Sequence, residues 1–155
     1  MTQSEFVYKY FNYKPGFFVD VGAYDGYTGS NTYLLEKHGW TGACIEPNII
    51  PYEKLVIMRN CRCYNLALSD TDCIKEFNQV TGYAEQLSYI DGPEEHSKRV
   101  INEINKHGGQ VKKINIECKR LDSIISRSID YLSIDAENHE LSILKGINFD
   151  KNEIL

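Results

Sequence analysis

The stretch FFVDVGAYDGYTGSN, residues 17–31, decides the fold. An apolar run, Phe17-Phe18-Val19, reaches Asp20 and Val21. Gly22 and Gly26 follow, with Ala23, Tyr24 and Asp25 between them. Thr28 to Asn31 then lead into a helical pattern over Thr32 to His38. This predicts a strand, a tight turn and a helix start. In an open α/β sheet such a turn lies at the carboxyl end of its strand, where ligands bind. Glycine there lets the backbone turn sharply and come close to a ligand.

A dinucleotide fingerprint fits this turn poorly. It needs three spaced glycines ending in the helix, so that a pyrophosphate rests on the helix N-terminus. The third glycine is missing, and Asp20 and Asp25 place negative charge where a diphosphate would lie. Two carboxylates suit a ligand with cationic groups and hydroxyls. S-adenosylmethionine is one, with its sulfonium, ammonium and ribose diol. A purely structural strand-turn-helix is the plain alternative.

From this turn the pattern extends in both directions. Residues 1–15 are aromatic and polar, with Phe6, Tyr10, Phe11 and Tyr13, and read as an N-terminal arm or short helix. Strand one is Phe17 to Val21. Its helix stops at Gly39, a good C-terminal glycine. Strand two, Thr41 to Ile45, ends in Glu46 and Pro47. An acid ending the second strand, about 24 residues after the glycine turn, suits a ribose diol. Pro51 opens the next helix, which runs to about Arg59.

Strand three spans Cys61 to Leu68. Its end lies beside the ligand's base, so Leu68 and Ser69 are candidates to bracket an adenine. An insertion at about 71–120 holds an extra strand, Cys73 to Val80, and a polar loop, Thr81 to Pro93. A helix, Glu94 to His107, and a strand, Lys112 to Cys118, complete it. Ile114, Ile116 and Cys118 alternate onto one strand face. Asp122 is read as the cap of a short helix holding Ile124 and Ile125. Tyr131 to Ile134 is an apolar strand ending in Asp135, Glu137 and His139, and a helix closing at Gly146 follows. Glu153-Ile154-Leu155 reads as the start of a further strand. Strands alternating with helices imply a mostly parallel sheet covered on both faces. Residues 16–155 therefore read as one domain behind the arm, with no internal repeat.

Composition narrows the function classes. A net charge of -5 and no long basic run argue against a nucleic-acid backbone as partner. No apolar stretch approaches the roughly 20 residues of a membrane span. The N-terminus lacks an apolar core followed by a small-residue cleavage site. Five cysteines without paired CxxC spacing read as reduced thiols, which fits a cytoplasmic protein.

The residues FVDVGAYDGYTGSNTYLLEKHGW, CIEPN, NLALSD, the QLS of the insertion, RLDSII and DYLSIDAENHELSILKGINFD resemble the FkbM family of S-adenosylmethionine-dependent methyltransferases. The resemblance implies a Rossmann-like methyltransferase fold. It also implies methyl transfer to a hydroxyl oxygen of a sugar or natural-product-like acceptor. Asp20, Gly22, Ala23 and Tyr24 match the family's cofactor loop, and Ser30 and Asn31 the segment beneath the methionine part. Glu46, beside Pro47, matches the ribose-binding acid. Leu68 and Ser69 match the adenine region, and Ser88 the serine of the insertion. Asp135 and Glu137 match the acidic pair after strand four.

Asn138 departs from the pattern, standing where the family often has glycine. The chain also stops as a fifth core strand begins, so it reads as a truncated or minimal version of the fold. A hydroxyl is a weak nucleophile at neutral pH, so a nearby base assists its attack. Asp135 or His139 is the candidate base, with Glu137 orienting the acceptor. The same cluster has oxygen and nitrogen donors for a divalent metal, but the spacing establishes no site, and none is assigned. Two other classes stay open: a non-catalytic S-adenosylmethionine-binding module, and a nicotinamide-dependent oxidoreductase, which the missing third glycine disfavours.

Overall fold

The computed structural model describes residues 1–90 and 92–154. Asp91, within the expected polar loop, and Leu155, at the end of the expected last strand, lie outside the described residues.

β1 (Phe17–Val21) is buried along its whole length, as an apolar run flanked on both sides must be. β2 (Thr41–Ile45) pairs with it in parallel, from Phe17 opposite Thr41 to Val21 opposite Ile45. On the other side β7 (Tyr131–Ile134) runs parallel, from Phe18 opposite Tyr131 to Val21 opposite Ile134. With β3 (Arg62–Tyr64) the sheet order is β3-β2-β1-β7. The chain moves outward from β1 to β3, then returns to the far side of β1. That reversal opens a crevice at the carboxyl ends of β1 and β7.

Side chains on a strand alternate between faces. Phe17, Val19 and Val21 enter one apolar cluster with Ile45, Leu121 and Ile143. Phe18 enters another with Leu35, Trp40 and Leu55. Asp20 shares the Phe18 face, which carries the helices α2 (Tyr33–Lys37) and α3 (Ile49–Met58). Arg59, only 4% exposed, stitches this face together. It donates to the Gly26 carbonyl at 3.2 Å and the Thr32 hydroxyl at 3.0 Å, pairs with Glu36, and lies over the Phe18 ring.

The arm folds onto the same face. α1 (Gln3–Tyr10) begins with a capping box between Thr2 and Glu5. Ser4 donates to the Asn31 carbonyl at 2.8 Å. Phe11 packs edge-on against Trp40, whereas Phe6, Tyr10 and Tyr13 stay exposed.

Among the expected elements, three change most. Strand three is split: Arg62–Tyr64 belongs to the main sheet, and β4 (Ala67–Leu68) joins a second one. Asn65 turns the chain between them, donating to the carbonyls of Glu46 at 2.9 Å and Pro47 at 3.1 Å. α3 starts at Ile49, two residues before Pro51, because the Asn48 side chain caps it by accepting from the Ile50 N–H. Asp122 lies inside α5 (Leu121–Ile124) rather than capping it, paired with Arg120 and Lys151.

The insertion supplies two strands of the second sheet, β5 (Cys73–Thr81) and β6 (Gln110–Lys119), and the order is β4-β6-β5. β5 and β6 pair antiparallel along all of β5, and β4 joins β6 in parallel. Between β5 and β6 lie a 3₁₀ turn, Gly82–Leu87, and α4 (Glu94–His107). The turn occupies part of the stretch read as loop. α6 (Glu140–Lys145) follows β7. Ile154 then makes a single parallel bridge with Ile129. Among the described residues no helix is long and apolar enough to cross a membrane.

Phe18 is fully buried between the sheet and Arg59. Phe18→Ala should therefore cost about 3–5 kcal/mol in urea unfolding; a loss below about 1 kcal/mol would contradict this packing.

Candidate functional site

A cavity of about 240 Å³ opens at the carboxyl ends of β1, β2 and β7. That lies just under the range of about 300–1,000 Å³ usual for small-molecule sites. Its floor is the turn after β1. Gly22 has φ +79°, and a Cβ there would sit 1.8 Å from the Asp135 carbonyl oxygen. Only glycine permits this approach of the two strand exits. The N–H groups of Gly22 and Ala23 both donate to the Ile45 carbonyl, at 2.9 and 3.1 Å. The backbones leaving β1, β2 and β7 thus meet at one point.

Glu46 lines the cavity and is 7% exposed. Its Oε2 accepts the Tyr24 N–H at 2.9 Å and its Oε1 the Asn48 N–H at 2.8 Å. Burial pushes its carboxyl up to about 7, against the two N–H bonds that favour the ionised form, with Asp20 and Glu85 adding to the rise. Tyr24 holds φ +51°, and its hydroxyl donates to Glu85 at 2.9 Å. Lys54 reaches the same Glu85 oxygen at 2.8 Å. The 3₁₀ turn of the insertion is thereby tied to the cofactor loop expected from the sequence.

Asp20 also lines the cavity. Its Oδ2 accepts from the Thr32 hydroxyl at 2.5 Å, and burial raises its pKa, opposed by the Thr32 bond and the Arg59 charge. Ser30 and Asn31 line the same wall; Asn31 donates to the Ser133 hydroxyl at 3.2 Å. Asp25 does not line it. Its carboxylate accepts from the N–H groups of Tyr27 and Thr28 and from the Thr28 hydroxyl, closing the turn. The reading of Asp25 as a ligand-facing charge is therefore corrected: its oxygens serve the backbone.

Pro47 and Leu68 lie on the cavity wall, with Ala67, Phe77 and Ile90 making the apolar part. Ser69 lies behind that wall, fully buried. Its hydroxyl bonds Asp70 at 3.1 Å, Ser142 at 3.2 Å and the His139 Nε2 at 3.2 Å. Ser88 lines the cavity, but its hydroxyl is engaged by the protein. It accepts the Val80 N–H at 3.0 Å and donates to the Glu85 carbonyl at 2.7 Å. Asn48 donates to the same hydroxyl at 3.0 Å. Ser88 thus shapes the loop that covers the pocket.

Asp135, Glu137 and His139 all border the cavity. The Asp135 N–H donates to the Val21 carbonyl at 2.9 Å, carrying the strand pairing into the turn. Glu137 and Asn138 both take left-handed backbone, with φ +46° and +79°. Asparagine tolerates that conformation better than most residues, which accounts for Asn138 at a position suited to glycine. Glu137 also lines a second, shallower cleft with Pro93, His96 and Arg99. Among the described residues no group of three or more His, Cys, Asp or Glu side chains is arranged to hold a metal ion.

Several residues that build the site carried no sequence signal read as functional: Glu85, Arg59, His96 and Arg99. Asn48 is missed as well, although an asparagine just ahead of a helical pattern is a cap signal.

The raised Glu46 carboxyl sets a pH test. Its folded pKa of about 7 lies above the ordinary 4.5. The protonated form is favoured in the folded state, so this contribution is full below pH 4.5 and lost as pH rises through 7. From pH 4 to pH 8 the stability of the wild type relative to Glu46→Gln should fall by about 3 kcal/mol. A pH-independent difference in urea unfolding would contradict the burial of Glu46.

Comparison with known proteins follows the same lines. The structure of methyltransferase FkbM from Methylobacillus flagellatus KT superposes with a TM-score of 0.54 at 16% identity. The match covers 94% of this chain and 33% of that one, so the chain spans about a third of its length. That likeness supports a Rossmann-like α/β fold. No curated protein sequence matches significantly. The family model described as the methyltransferase FkbM domain matches residues 20–154, nearly the whole chain from the end of β1 onward. The chain belongs to the FkbM methyltransferase family.

Proposed function

We propose that this protein binds S-adenosylmethionine in the cavity between the ends of β1 and β7 and transfers its methyl group to a hydroxyl oxygen of a sugar or natural-product-like acceptor. The observation that carries the reading is the Glu46 carboxylate. It lines the pocket, is held in place by two backbone N–H groups, and keeps acceptor capacity for a ribose diol. When bound, the cofactor supplies an activated methyl group on a sulfonium; position and electrostatics come from the protein.

In this reading Glu46 accepts from the ribose hydroxyls. Gly22 and Ala23 let the backbone lie against the ligand. Asp20, Ser30 and Asn31 border the methionine end, with the Asp20 carboxylate facing its positive charge. Leu68, Ala67 and Phe77 give an apolar surface for the base, beside Pro47. Ser69, behind that wall, acts through His139 and Ser142, and Ser88 acts by fixing the covering loop.

On the acceptor side Asp135 is favoured as the base. The His139 Nε2 is engaged with Ser69 in a buried setting, which suits a wall residue better than a proton acceptor. Glu137 accepts a hydrogen bond from the acceptor and orients it. The acceptor is a small molecule or glycan hydroxyl; nucleic acid and membrane are not partners in this reading. Five free cysteines are in keeping with a cytoplasmic location.

Calorimetry with S-adenosylmethionine and NAD tests the cofactor, with binding expected for the first alone. S-adenosylmethionine affinity should rise by up to about tenfold from pH 6 to pH 8, as Glu46 ionises to accept from the diol. Glu46→Gln should abolish that dependence, and a flat wild-type profile would contradict the role of Glu46. S-adenosylhomocysteine release on a panel of sugars and polyols tests turnover. Asp135→Asn should lower kcat by about 100-fold with cofactor affinity kept; equal turnover would remove Asp135 from the chemistry.

A further inference from the structure

The insertion reaches the turn after β7 through His96 and Arg99 of α4. His96, on the first turns of α4, is 5% exposed. Its Nε2 lies 3.2 Å from the Leu87 carbonyl. A carbonyl only accepts, so Nε2 carries a proton and Nδ1 faces the other way. There it meets the Glu137 Oε2 at 3.6 Å, with Arg99 at 3.9 Å from the same oxygen. Tyr89 packs edge-on against the imidazole at 4.6 Å and fixes its plane. Glu137 borders both the main cavity and the cleft beneath α4.

We infer that His96 is a positioning residue for methyl transfer: from the insertion it holds the Glu137 carboxylate aimed at the junction of the two cavities, where the acceptor hydroxyl enters. This rests on the methyl-transfer reading above.

The physical need for such a residue is on the page. Burial raises the Glu137 carboxyl above its ordinary range, and the nearby charges of Asp135 and Glu140 raise it further. His96 and Arg99 oppose that rise. The other charged group lining the cleft is Glu95, from α4. A protonated His96 beside Glu137 favours the ionised carboxylate, the form that accepts a hydrogen bond through either oxygen. Arg99 is 59% exposed and solvent weakens its pull, whereas the His96 side chain is 4% exposed.

The test uses the full chain as wild type, His96→Gln and Glu137→Gln. S-adenosylhomocysteine affinity, by calorimetry, should agree within about 2-fold between wild type and His96→Gln, since His96 lies outside the cofactor cavity. The Glu137 carboxyl, followed by ¹³C NMR, should titrate higher in His96→Gln than in wild type. For any methyl glycoside or polyol that turns over, His96→Gln should lower kcat about 10-fold, and the acidic limb of its pH profile should move upward. A wild type that binds S-adenosylhomocysteine but has the same Glu137 midpoint with and without His96 overturns the inference alone. A wild type that does not bind it overturns the methyl-transfer reading. Should His96→Gln fail to fold, Glu137→Gln reads the pair from the other side. The His96 ring ¹⁵N shifts then change if the contact exists, and unchanged shifts overturn it.

Discussion

One carboxylate organises the pocket. Glu46 leaves β2 and takes the N–H groups of Tyr24 and Asn48, one on each oxygen. The first bond fixes the turn after β1, and the second fixes the start of α3. Leaving either N–H buried without an acceptor would cost about 1–3 kcal/mol. The same bonds hold an acid against the crevice that opens where the strand order reverses, between β1 and β7. A charge buried this deeply is costly, and burial accordingly pushes the carboxyl up to about 7. Such perturbed groups gather where a ligand completes the environment.

The second constraint is the approach of Gly22 to the Asp135 carbonyl. It brings the candidate cofactor loop against the acidic turn, so both halves of the proposed chemistry share one wall. The insertion then closes the space from above. Glu85 joins it to Tyr24 and Lys54, Ser88 and Asn48 lock its 3₁₀ turn, and His96 carries it to Glu137. A segment that reads in the sequence as an extra strand and a polar loop is, in three dimensions, the roof of the site.

The sequence made some of this legible and not the rest, for physical reasons. β1, β2, β7 and α4 have the bounds expected of them, because apolar runs and a helical period register burial directly. β3 was read too long because the turn at Asn65 depends on carbonyls of Glu46 and Pro47, far along the chain. Asp25 escapes the pattern because a short acid beside glycines can serve its own turn as readily as a ligand. Leu68 and Ser69, adjacent on one strand end, separate because alternate side chains face opposite ways: one meets the cavity and the other His139. Glu85, Arg59 and His96 act through partners more than twenty residues away, which no local pattern reports.

The most direct test is a crystal structure of the chain with S-adenosylmethionine. The account predicts the ribose hydroxyls within hydrogen-bond distance of Glu46, the methionine end beside Asp20 and Gly22, and the base against Leu68. A nucleoside bound elsewhere, or a Glu46 turned out of the crevice while Tyr24 and Asn48 keep other partners, would contradict it.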